Sequence, residues 1–200
     1  MSKAEKTKQY IIEKTATLFN TQGYASTSLS DIIAATGLSK GSIYGNFENK
    51  EQVALDVYHY NALSLKKRLA ESLKKEFLTV TEKLLVFLSF YRENWRQVFQ
   101  NGGCPLLNAA VECDDTFPEL KNLVQISFTE WIEMISEVIR EGQKFNEFKP
   151  EINAEEYASQ IIMIIEGGIL LAKTMDDKNF LYLALDRISY IIEKEIKLNS

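Results

Sequence analysis

The sequence predicts an all-α protein, and three observations carry that expectation. Apolar residues recur at the three-to-four spacing that lines one side of a helix. Capping residues and helix stops punctuate those stretches from end to end, whereas the period-two alternation of half-buried strands is nearly absent. The composition agrees: 46% of the 200 residues are apolar and 26% charged, with three prolines and nine glycines, which excludes collagen-like, low-complexity and disordered classes. A chain of this length forms one or two domains with a substantial core.

The first helix is expected from Ala4 to Gln22, with Ile12, Ala16 and Phe19 one turn apart and Gly23 as its stop. After a loop from Tyr24, Ser28 or Ser30 caps a short helix holding Ile32, Ile33 and Ala35, which ends at Gly37. Ser39 caps a third helix of under two turns through Asn46. A fourth extends from Lys50 to Phe77, and a fifth from Thr79 or Thr81 to Phe99. Asn101-Gly102-Gly103 breaks the chain. Pro105 and Pro118 each suit the first position of a helix, the second running from Glu119 to Gln143 after an acidic loop from Glu112 to Phe117. Asn153 with Glu156 forms a capping-box-like start to a helix ending near Thr174, and Asp177 caps the last one. The count is about nine helices, and the one composition shift lies near residue 50.

Residues 28–47 read SLSDIIAATGLSKGSIYGNF, two short helices joined by Thr36-Gly37-Leu38-Ser39, the sequence form of a helix-turn-helix. In the second of them, Ile43 and Phe47 can dock on the preceding helices while Lys40, Ser42, Gly45 and Asn46 point elsewhere. Side chains that enter a DNA groove have this character: small or polar, one cationic, none obliged to be buried.

The wider wording of residues 11–58 adds to this. Ile11-Ile12, Leu18-Phe19, Gly23-Tyr24, Thr27-Ser28, Asp31-Ile32, Gly37, Ser39-Lys40-Gly41, Tyr44, Phe47 and Lys50-Glu51 together resemble the TetR family of bacterial transcriptional regulators. The resemblance implies a helix-turn-helix DNA-binding domain over residues 1–50 and a helical-bundle effector-binding and dimerisation domain over residues 51–200. It implies a homodimer on a palindromic operator in double-stranded DNA, with the third helix in the major groove. Thr27, Ser28, Tyr44, Asn46 and Lys50 would contact the DNA backbone, and Lys40, Gly41, Ser42 and Gly45 would lie closest to the bases, with Ser39 opening that helix. The chain departs from the family at Gly45 and Asn46, where many members carry an aromatic residue and His.

The remaining residues are rich in aromatics at helical spacing, most of them expected in the core. Polar residues among them mark an expected small-molecule site, because a buried polar group needs a partner and a ligand can supply it. The candidates are Asn108, Glu112 and Glu166, with Tyr91, Trp95, Phe128 and Trp131 as apolar walls. The last two helices are expected at the dimer interface through Tyr157, Ile161, Ile164, Gly168 and Leu171 on one, and Leu181, Leu185, Ile188 and Ile192 on the other. Gly167-Gly168 would let a neighbouring helix approach closely.

No cofactor or metal is expected, and no catalytic role. The single His59 follows Asp56 by three residues, at most half of a di-metal bundle motif. There is no HExxH, phosphate-binding Gly loop or GxSxG elbow. Cys104, beginning a helix, is a candidate redox thiol or a small buried hydrophobe. Two cysteines are too few for a disulfide scaffold, and neither a signal peptide nor a membrane span is evident, so a cytoplasmic protein without a membrane partner is expected. The reading is a ligand-responsive DNA-binding regulator, with a repressor expected; a helical protein-interaction module or a helical enzyme without selective DNA binding is the alternative.

Taken alone, the formal charge of −5 argues against a nucleic-acid partner, but it is unevenly distributed. Through Lys50 there are six lysines and four acids, a surplus of +2, and the remaining residues carry −7. A mildly cationic head is joined to an acidic body.

Overall fold

The computed structural model describes residues 2–72, 79–113 and 117–198. Among them are nine α-helices: α1 (Lys3–Gln22), α2 (Leu29–Thr36), α3 (Lys40–Tyr44), α4 (Lys50–Ser72), α5 (Val80–Gln100), α6 (Pro105–Cys113), α7 (Pro118–Lys144), α8 (Ala154–Thr174) and α9 (Asn179–Ile191). A π-helical turn, Ile192–Ile196, continues α9. The only strand-like pairing among the described residues is an isolated antiparallel bridge between Phe148 and Lys197. The all-α expectation holds, with boundaries displaced by one to three residues where ends fray or caps compete. The expected end of the fourth helix at Phe77 lies outside the described residues. Part of the expected acidic loop is helical, because α6 continues through Glu112 to Cys113.

The chain forms two compact units. The first comprises residues 1–66 and 101–125, the second residues 67–100 and 126–200, so α4 and α7 each run from one into the other. This packing division does not follow the sequence shift at residue 50, because α6 and the start of α7 belong with α1 to α3.

In the first unit, Ile11 and Phe19 of α1, Ile32 of α2, Ile43 of α3 and Val53 and Val57 of α4 are buried together with Leu106 of α6. Tyr24 stacks between Phe19 and Tyr58, with ring centroids 5.8 and 6.0 Å away. In the second unit, Phe87 and Tyr91 of α5 pack edge-on against one another, and Phe87 meets Trp131 of α7 in the same way. Helices α8 and α9 make the most extensive contact, and they do so through Gly168. A Cβ built there would lie 2.6 Å from the Ala184 methyl, so the glycine is what lets the two helices approach.

This close approach revises the expected dimer stripe. Leu181, Leu185, Ile188 and Ile192 are fully buried in the α8–α9 core of a single chain, as are Ile161 and Gly168. They have no accessible surface to offer a second copy. Tyr157 and Ile164 are half-buried, and of the nine only Leu171 is exposed. Helix α8 instead turns Met163 (64% exposed), Leu170 and Met175 to solvent, and α9 turns Leu183 (66%) and Tyr190. Periodicity identified both helices as apolar on more than one face but assigned the intramolecular face to the partner.

Candidate nucleic-acid interface

The helix-turn-helix is built by local capping. Ser28 precedes α2 with extended backbone; its Oγ accepts from the Asp31 N–H at 3.2 Å, and the Asp31 carboxylate accepts the Ser28 N–H at 2.8 Å and hydroxyl at 2.6 Å. This reciprocal box satisfies two of the amide donors that a helix start leaves open. Hydrogen bonds from the Ser28 side chain and then its backbone hold the Asp31 carboxyl below its ordinary range. At the other end of α2, the Tyr10 hydroxyl of α1 donates to the Thr36 carbonyl at 3.0 Å. Gly37 ends the helix in the left-handed conformation, and Ser39 caps α3 by accepting from the Ser42 N–H at 3.2 Å.

Ile43 and Phe47 are buried, as the sequence indicates, which fixes the roll of α3. That leaves Lys40, Gly41, Tyr44 and Gly45 exposed and Ser42 half-buried. The Lys40 ammonium sits 5.9 Å from the Tyr44 ring centroid, so the cation and the hydroxyl-bearing ring form one surface feature. Asn46 donates through Nδ2 to the Ser42 carbonyl at 2.8 Å, closing the helix end. Gly45 follows α3 as its C-cap, so a glycine here costs less than the ~1 kcal/mol expected inside a helix.

Two of the expected backbone contacts stand differently in the structure. Thr27 is fully buried, with its hydroxyl donating to the Gly23 carbonyl at 2.7 Å, which turns it away from any phosphate. Lys50 donates to the Ala25 carbonyl at 2.9 Å, so its ammonium braces the loop before α2. The same residue is held through its preceding peptide as well, where the Ala25 N–H donates to the Glu112 carboxylate of α6 at 3.0 Å. Beside this clamp lies a cavity of about 240 Å³ walled by Tyr24, Ala54, Phe117 and Leu120, with Lys50 and Glu112 at its polar edge.

The seven expected effector residues divide between the two units. Asn108 and Glu112 belong to the first unit, Tyr91, Trp95, Phe128, Trp131 and Glu166 to the second. Asn108 donates through Nδ2 to the Asn20 carbonyl and side-chain oxygen, both at 3.0 Å, and to the Gly102 carbonyl at 2.8 Å. Its amide is therefore committed to the end of α1. Tyr91 and Trp131 are 1% and 2% exposed and belong to the stacked core. Trp95 and Phe128 are half-buried, Trp95 with the Lys178 ammonium 5.3 Å from its ring. Glu166 is buried on α8.

Among the described residues there is no cluster of three or more metal-ligating side chains. Asp56 pairs with Lys8 at 2.6 Å. Both cysteines are buried and outside any disulfide, so Cys104 occupies the position of a small hydrophobe. No helix among the described residues is long and apolar enough to cross a membrane.

Sequence reasoning missed Asn20, Tyr10 and the exposed apolar face of α8 and α9. The last carried a signal: Met163, Gly167, Leu170 and Leu171 share one helical side. Asn20 and Tyr10 carried none, since their partners are backbone groups distant in sequence.

Residues 11–57 match the family described as bacterial regulatory proteins, tetR family, and residues 80–188 match the tetracyclin repressor-like C-terminal domain. A solved TetR-family transcriptional regulator from Cytophaga hutchinsonii is similar over 100% of this chain and 99% of its own, at 36% identity and a TM-score of 0.94. The HTH-type transcriptional regulator YxaF of Bacillus subtilis is 26% identical over 94% of this chain and 96% of its own length. The HTH-type transcriptional repressor DhaR of Mycobacterium sp. (strain GP1) is 24% identical over 83% and 82% respectively.

Proposed function

Since the chain belongs to the TetR family of transcriptional regulators, which are DNA-binding proteins and not enzymes, we propose that it is a repressor that binds a palindromic operator as a homodimer and leaves it when a small molecule binds. The observation that carries this reading is the exposed face of α3. Lys40, Gly41, Ser42 and Gly45 are held on a capped helix whose apolar side is fully used in packing, so these groups are presented to a groove at no cost to the core. Ser28, Tyr44 and Asn46 flank them for contacts to phosphate and sugar, and Ser39 fixes the start of the helix. The name of the relative DhaR supports repression over activation.

Residues 1–50 act as the reading head and residues 51–200 as the sensing and dimerising body, in the cytoplasm where the DNA is. The second copy docks on the exposed apolar face of α8 and α9, around Met163, Leu170, Leu171 and Leu183. The effector enters the second unit near Trp95, Phe128 and Glu166. A dimer reads half-sites about 34–36 Å apart, so a ligand that changes their spacing weakens both contacts at once. A differential affinity of about 1–3 kcal/mol suffices to change occupancy severalfold or more.

The test is a titration of a duplex from the intergenic region beside the protein's own gene at several salt concentrations. Lys40→Ala lowers affinity and flattens the dependence of log K on log salt by about one unit per lost contact, hence about two for the two copies in a homodimer. Unchanged affinity and slope would refute the placement of α3.

A further inference from the structure

Two polar side chains of α6, one helical turn apart, grip the backbone where α1 hands over to α2. Asn108 donates to the Asn20 carbonyl at the end of α1 and to the Gly102 carbonyl, tying the α5–α6 loop to the same point. Asn20 returns the contact through its Nδ2, which donates to the Asn101 carbonyl and, at 3.3 Å, to the Gly103 carbonyl. One turn further, Glu112 accepts the Ala25 N–H at 3.0 Å. The Glu112 carboxylate also lies directly over Gly23, where a Cβ would be 2.7 Å from both oxygens. Gly23 has φ +100°, so the junction needs glycine for its backbone as well as for the carboxylate above it. At the next peptide group, Lys50 of α4 donates to the Ala25 carbonyl at 2.9 Å. Ala25 stands three residues before the Ser28 cap that starts α2, so its orientation sets the entry of the helix-turn-helix.

We infer that Asn108 and Glu112 are positioning residues of the DNA-reading unit, which they hold through the α1–α2 junction although they lie 88 and 87 residues from their partners in sequence. The inference rests on the DNA-binding reading above and names the groups of α6 through which a change in that helix reaches the reading head. Neither residue touches DNA. A carboxylate hydrogen bond is the right kind of link, because charge-assisted bonds are the stronger ones and the loss of this one leaves Ala25 held through its carbonyl but not through its N–H. By linkage, whatever favours the gripped junction favours DNA, and DNA in turn favours the grip.

The test uses the full-length protein, with Glu112→Ala, Glu112→Gln and Asn108→Ala as variants. Residue-resolved amide exchange of the free protein is read first. Glu112→Ala is expected to speed exchange at Ala25 about tenfold, as for one lost hydrogen bond to a charged group, while amides of α8 keep their protection. Affinity for the intergenic duplex falls severalfold in Glu112→Ala and Asn108→Ala, and Glu112→Gln, which keeps an acceptor oxygen, recovers most of it. Unchanged exchange at Ala25 in Glu112→Ala overturns the inference, as does faster exchange with unaltered duplex affinity. Equal loss in the Ala and Gln variants, tracking a fall in Tm, overturns it in favour of a purely structural role. A wild-type protein that binds no tested duplex overturns the DNA-binding reading itself, and the exchange measurement then still decides whether α6 grips the junction.

Discussion

Lys50 and Thr27 occupy positions that a sequence pattern associates with phosphate contact, yet one ammonium donates to Ala25 and one hydroxyl to Gly23. For Thr27 the partner is local, four residues back, and such a hydrogen bond costs little chain entropy; the long Lys50 side chain instead reaches a carbonyl 25 residues away. The sequence identifies such residues as polar and near the site, but which partner they choose depends on backbone that only the fold supplies. Glu147 makes the same point away from the site. Its carboxylate accepts the Val80 N–H at 2.8 Å and the Thr81 N–H and hydroxyl at 2.9 Å, capping α5 from a distant segment. Burial works against its ionised form, but those hydrogen bonds and the nearby Lys197 outweigh it and hold the carboxyl below its ordinary range. A depressed folded pKa stabilises the fold fully above the unfolded glutamate value of about 4.3 and ceases to do so as pH falls through the folded value. Glu147→Ala is therefore expected to cost about 1–3 kcal/mol near neutrality. The difference in Tm between wild type and variant should be flat above about pH 6 and shrink toward acid, given that unfolded reference. A difference that grew on acidification would contradict the capping role.

Helix α3 was legible almost to the residue, because Ser39, Ile43 and Phe47 state its start and its buried side in local terms. Helices α8 and α9 were legible as helices but not in their roles. A stripe such as Leu181, Leu185, Ile188 has the same period whether it packs within the chain or against a partner, and periodicity cannot tell the two apart. Gly168 carries the distinction only once Ala184 is seen beneath it. Separate substitutions resolve the two faces. Leu185→Ala, in the intramolecular core, is expected to lower unfolding stability by about 2–5 kcal/mol in urea titrations. Leu183→Glu, on the exposed face, should leave the helical content intact and shift sedimentation from dimer to monomer. A dimer that survives Leu183→Glu together with Met163→Glu would remove this face as the interface.

The division of charge gives the molecule its operating logic. On the proposed reading, a head with a surplus of +2 would attract DNA weakly on its own and a body with −7 would repel it, so binding would depend on two heads reaching one site together. All-helical architecture, a helix-turn-helix near the amino terminus and a regulator of transcription were legible from the sequence, since caps, stops and the Ser28–Phe47 pattern are local. The grip of α6 on the α1–α2 junction was not, because its partners are peptide groups that any residue possesses. The most direct measurement is an anisotropy titration of the palindromic intergenic duplex against a scrambled duplex of equal length. Two chains are expected to bind per palindrome, with affinity at least about a thousandfold above that for the scrambled sequence. Equal affinity for the two duplexes would contradict the account.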